Sequence, residues 1–149
     1  MTKSKLVGVV IGVMFAALAS AQPSTDAAKQ LFAQYVALGH AYDPGVAELY
    51  ADDALIKNKR AYATGQVREL TLPAAKYKAL LRQVMPLAKA RGDRSTYSEV
   101  SYASEGERVR IQAARFSELK NYTSPISLLV GPSPGGKWLI YEELSESRP

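Results

Sequence analysis

The stretch 87-LAKARGDRSTYSEV-100 separates two periodicities. Before it, Tyr77, Leu80, Leu81, Val84 and Ala88 recur every three or four residues as one helical stripe; beyond Asp93 apolar and polar residues alternate. Arg91-Gly92-Asp93 is the stop between them, since glycine takes the left-handed backbone that ends helices. Helices first and a meander after predict an α+β domain. About three helices would cover one face of a cone-shaped, curved antiparallel sheet.

Working back from that stop, Thr71 reads as the cap of the long helix and Pro73 as a first-turn residue, while Pro86 should kink or end it. Ala54 to Arg60 and Gln66 to Leu70 read as strands. Asp43-Pro44 reads as an N-cap followed by proline at the first helical position, with Val46, Leu49 and Tyr50 in a short helix. Ser24-Thr25-Asp26 caps a first helix carrying Leu31, Phe32, Tyr35, Val36, Leu38 and Tyr42. Gly39 and the turn after it end that helix.

Working forward, Glu105-Gly106 reads as a two-residue hairpin turn, placing Tyr102 opposite Val109, Val100 opposite Ile111 and Ser98 opposite Ala113. Ile126 to Val130 and Trp138 to Leu144 read as the last strands. Alternation puts Trp138, Ile140, Glu142 and Leu144 on one face of the final strand and Glu143 on the other. Glu142 is therefore the expected inward carboxylate. Arg115, on the face of Val109, Ile111 and Ala113, is its expected partner across one intervening strand.

At the N-terminus, Lys3 and Lys5 precede an apolar run from Leu6 to Leu18 that ends in Ala19-Ser20-Ala21, the pattern of a secretory signal peptide over 1–21. The expected product is one domain over 22–149, exported to the periplasm or beyond, with no transmembrane segment in the mature chain. The sequence has no cysteine, which removes disulfides, thiol catalysis and thiolate metal sites. His40 is the one histidine and sits at a helix end, so neither a metal nor any other cofactor is expected. Without Lys3 and Lys5 the chain holds 17 basic and 14 acidic residues. Ten of the basic ones lie between Lys57 and Arg94, where Glu69 and Asp93 are the only acids. For an exported chain nucleic acid is excluded as the expected partner. That leaves an anionic membrane surface, an acidic protein or simple solvation. Asn121-Tyr122-Thr123 matches a glycosylation sequon.

Asp43 to Ala54, DPGVAELYADDA, together with Gly136-Lys137-Trp138 opening the final strand, resembles the nuclear transport factor 2-like superfamily. That superfamily includes ketosteroid isomerases and SnoaL-like cyclases. The resemblance implies a cystatin-like cone with a pocket, and often a homodimer formed through the sheet. Of the three isomerase roles, the oxyanion tyrosine would map to Tyr35, the base to Asn58 and the second acid to Ser127. An amide cannot accept the proton that the base takes, and the second acid is replaced by a serine, so two of the three roles are lost although Asn58 and Ser127 can still hydrogen-bond a ligand. The expectation is a domain without catalysis that binds a small hydrophobic or anionic molecule or interacts with a protein; the resemblance contributes Tyr35, Asn58 and Ser127 as ligand-binding residues, and strand alternation and register contribute Tyr102, Arg115 and Glu142. Two alternatives stand beside it. One is a lyase or isomerase acting on a hydrophobic carbonyl compound, and the other an envelope-interaction or toxin-neutralising protein. Nine tyrosines against three phenylalanines add a further expectation. Tyr35, Tyr50, Tyr77 and Tyr102 point inward, where each hydroxyl needs a partner, and Tyr97 and Tyr141 point outward.

Overall fold

In the computed structural model residues 25–149 are described; the leader read at 1–21 lies outside the described residues. Helix α1, Thr25–His40, buries Ala28, Leu31 and Phe32 on one side. Asp43 caps the next element, its side chain accepting from the Gly45 amide at 2.7 Å, and Pro44–Leu49 forms a 3-10 turn. Tyr50 does not extend that turn but opens strand β1, Tyr50–Ala61, which is longer than the segment expected. Strand β2, Val67–Pro73, returns antiparallel to it and includes Thr71, so Thr71 caps nothing. Helix α2 runs Ala74–Arg91 with Pro73 at its cap position and no side-chain cap. Pro86 does not end this helix: it lies on the exposed side, where the carbonyl deprived of its donor can meet water. Gly92, at φ 63°, ends the helix as read, its amide bonded to the Ala88 and Lys89 carbonyls.

Four more strands complete one sheet: β3 Ser95–Glu105, β4 Arg108–Ser117, β5 Tyr122–Pro132 and β6 Trp138–Ser147. The order is β2-β1-β6-β5-β4-β3, antiparallel throughout except for the parallel pair β1–β6. The two helices and the 3-10 turn pack on one face, giving the expected α+β cone. Leu31, Phe32, Val46, Leu49, Ile56, Ile111, Leu128 and Ile140 belong to a single core cluster between helices and sheet. A one-residue slip of β5 would turn Ile126, Leu128 and Val130 to the outer face, losing roughly 5–9 kcal/mol of burial. The register is pinned accordingly.

Two irregularities move side chains from the faces that alternation assigns. The β3–β4 turn is Gly106-Glu107, one residue later than read, because Gly106 at φ 61° supplies the left-handed first turn position. Glu105 then faces Arg108, and Tyr102 faces Ile111 in place of Val109. Farther along, Ser101 faces Gln112 but Ser98 faces Ala114, so β3 carries one extra residue at Glu99-Val100, with Glu99 at φ 53°. The bulge sends Tyr97 inward, opposite Arg115, and leaves Val100 36% exposed. Both reverse the sequence reading. In β6, Val130 faces Ile140 while Leu129 faces Glu142, so Tyr141 is the extra residue there.

Candidate functional site

The Tyr141 bulge decides which carboxylate enters the cone. Ile140 and Glu143, three residues apart, are both inside, and Glu143 is 2% exposed. Glu142, the expected inward acid, is on the outer face. There Arg110 donates to Glu142, to Ser127 Oγ at 3.2 Å and to both carboxylate oxygens of Glu105 at 3.0 Å. The expected pairing of Arg115 with Glu142 is thus replaced by Arg110 with Glu142. Because Arg110 and Glu142 are only partly buried and Arg110 keeps Glu105, Glu142→Gln is expected to change stability by less than about 1 kcal/mol in urea unfolding.

Inside the cone, Tyr50 from β1 donates to Oε2 of Glu143, and Tyr77 from α2 donates to Oε1 at 3.0 Å. The two rings meet edge to face with centroids 5.3 Å apart. Burial raises both phenols well above their usual range, and the Glu143 charge beside them adds to it. On the other side of the site, Tyr35 from α1 and Tyr97 from β3 stand at a centroid distance of 5.9 Å, with Phe32 against both. Tyr35 is also raised, first by burial and then by Tyr97 and Glu143. For Tyr97 burial is the main cause, offset in part by the Tyr35 hydroxyl and the Arg115 charge. Arg115 points inward as read and donates to the Glu146 carbonyl at 2.7 Å. Burial works against its charge, but Tyr35, Glu143 and Tyr97 together outweigh burial and leave its pKa raised. The neighbouring Ser124 Oγ, buried opposite Arg115 in the register, has no hydrogen-bond partner among the described residues.

Between α1, α2 and the start of β3 a cavity of about 130 Å³ remains, with Tyr35, Tyr50, Tyr77 and Tyr97 among its lining residues. Val46, Val84 and Met85 supply apolar wall, and His40, Asp93 and Arg94 contribute polar lining. His40 Nε2 lies 2.9 Å from the Ser95 carbonyl, tethering the end of α1 to the start of β3. The carbonyl it meets belongs to β3 and is not one of the terminal carbonyls of its own helix.

Of the six residues selected from sequence, Tyr35 lines this cavity and Arg115 lies beside it. Asn58 is inward but its amide is occupied, donating to Ser145 Oγ at 2.9 Å and accepting from Ser147 Oγ at 2.9 Å. Tyr102 packs against the core under Lys29, whose Nζ is 5.7 Å from the ring centroid. Ser127 and Glu142 are outside the cone. Tyr141 is also outside, with Arg108 3.9 Å above its ring. Sequence reasoning missed Glu143 and Tyr97, both displaced by bulges. Part of the signal for Glu143 was nevertheless present. Two inward phenols, Tyr50 and Tyr77, call for a buried acceptor, and this carboxylate serves both.

Among solved structures the chain is similar to a nuclear transport factor 2-like protein of unknown function from Pseudomonas putida KT2440, with TM-score 0.63 and 15% identity over 84% of this chain and 89% of that one. A second such protein, from Shewanella oneidensis MR-1, matches with TM-score 0.60 and 16% identity over 83% of this chain and 98% of that one. A protein from Catenulispora acidiphila in complex with S-DNPA matches with TM-score 0.54 and 10% identity over 82% of this chain and 91% of that one. No protein-family model and no curated protein sequence matches the chain. At these identities the likeness establishes the nuclear transport factor 2-like fold, and the fold alone does not assign an activity.

Proposed function

We propose that this chain, with its nuclear transport factor 2-like fold, is an exported binding domain that holds one ring-sized amphipathic molecule in its cone and does not transform it. The observation that carries the reading is the cavity of about 130 Å³ lined by five tyrosines, Tyr42 with the four above, beside a buried carboxylate. An apolar cavity of about 150 Å³ accepts a benzene ring, so one six-membered ring is the scale of the ligand. The apolar wall from α2 would take the ring, and the tyrosine side of the cavity its polar group. Export rests on the leader read in the sequence.

Binding is favoured over catalysis because each Glu143 oxygen already accepts a tyrosine hydrogen bond. Asn58 is likewise committed to two serines, and Ser127 faces away from the cone. A homodimer through the outer sheet face belongs to the same proposal, since Leu55, Phe116 and Leu144 are exposed among the described residues.

Native mass spectrometry of protein purified from the exported fraction tests the reading. The expected species is a chain cleaved near Ala21 that carries a noncovalent adduct of single-ring size, with the dimer visible in the same spectrum. Protein that emerges without adduct from repeated gentle preparations would count against a resident ligand.

A further inference from the structure

We propose that the outer face of α2 is a docking surface for an anionic phospholipid bilayer, on which the helix lies flat while its inner face stays packed on the cone. The helix carries Lys76, Lys78, Arg82, Lys89 and Arg91 and no acid. Not all of these cations are available. Lys78 turns inward, 12% exposed, to the Tyr50 carbonyl at 3.2 Å and Asp52 at 3.0 Å, and Arg82 is paired with Glu48. Lys76, Lys89 and Arg91 are exposed, and none has an ion-pair partner within 4.0 Å among the described residues.

The same face departs from the sequence reading, which placed Leu80 in the buried stripe. Leu80 is 42% exposed, and Leu87, two turns on, is 58% exposed, the highest value among the large exposed apolar side chains of the described residues. Each leucine has an unpaired cation one turn away on the same side, Lys76 before Leu80 and Arg91 after Leu87. Lone leucines two turns apart, with Gln83 and Pro86 between them, do not form the contiguous apolar patch that a protein partner buries. An anionic bilayer needs no such patch. Its headgroups meet the cations, and single apolar side chains enter the interface beside them. Among the described residues no helix is long and apolar enough to cross a membrane.

The test is co-sedimentation of residues 22–149, which contain every described element, with phosphatidylcholine vesicles and with vesicles that also contain phosphatidylglycerol. The expected result is pelleting with the phosphatidylglycerol vesicles alone, weakening as salt is added. At about 1 kcal/mol per cation, Lys76→Gln with Arg91→Gln should lower affinity roughly 25-fold. Leu80→Ser with Leu87→Ser should lower it at least about tenfold. As a control on β1, Lys59→Gln with Arg60→Gln should leave binding within about twofold. All these positions are exposed, so unchanged urea midpoints can be verified for each variant. The proposal is overturned by equal binding to both vesicle types, by no binding, or by a control variant that loses as much as the α2 variants. Salt-sensitive binding to polyglutamate without binding to vesicles would also overturn it and identify an acidic protein as the partner.

Discussion

Glu143→Ala should destabilise the protein by about 3–5 kcal/mol in urea unfolding at neutral pH, where Glu142→Ala costs less than about 1 kcal/mol. The side chains are adjacent in sequence and identical in chemistry, so the contrast comes from the face each occupies, which the Tyr141 bulge sets. Removing Glu143 leaves the Tyr50 and Tyr77 hydroxyls without their acceptor and takes away the negative charge near Arg115. Removing Glu142 leaves Arg110 with Glu105 and water. Tyr50→Phe, which deletes one of the two donors, should fall between them at about 1–3 kcal/mol. The reverse order, with Glu142→Ala the costlier change, would mean that β6 runs without its bulge.

Alkaline pH should unfold the protein from about pH 10 upward, and the sign follows from three phenols. Tyr35, Tyr50 and Tyr77 have folded-state pKa values well above that of an exposed tyrosine, which is about 10. Above pH 10 the unfolded chain therefore loses protons that the folded chain retains. Their stabilising contribution is complete below the unfolded value and declines as pH rises toward the folded ones, by about 4 kcal/mol per pH unit for the three together. A domain of ordinary stability, about 5–15 kcal/mol, would not survive more than a few such units. Tyrosinate absorbance and far-ultraviolet circular dichroism, followed together, should show these phenols ionising in the same step that removes the helix signal. Ionisation of all nine tyrosines near pH 10 with the fold intact would contradict the buried cluster.

How far the sequence could be read depended on whether a feature was set by local periodicity or by strand register. The Asp43 cap, the Gly92 stop and the change from helical to alternating pattern were legible because each depends on residues within one turn. The inward faces of β4 and β5 were legible for a related reason: Val109, Ile111 and Ala113, and Ile126, Leu128 and Val130, alternate without interruption. The site was harder to read. A bulge adds one residue to one strand only, and neither Glu99-Val100 nor Tyr141 announces it by composition, yet each reverses every assignment beyond it. Glu142 was exchanged for Glu143 and Tyr97 moved inside through that effect. Leu80 lies at the edge of the helical stripe, where spacing alone does not separate a packed side chain from an exposed one.

The cavity as a ligand site is tested most directly by a nuclear magnetic resonance titration with phenol, a ring-sized probe that carries one hydroxyl. Val46, Val84 and Met85 and the rings of Tyr35 and Tyr97 should shift and saturate together in the wild-type protein. The response should be lost in Ala88→Leu, which adds side-chain volume to the cavity wall. Shifts scattered over the outer sheet face, or a response that survives Ala88→Leu unchanged, would contradict a ligand site within the cone.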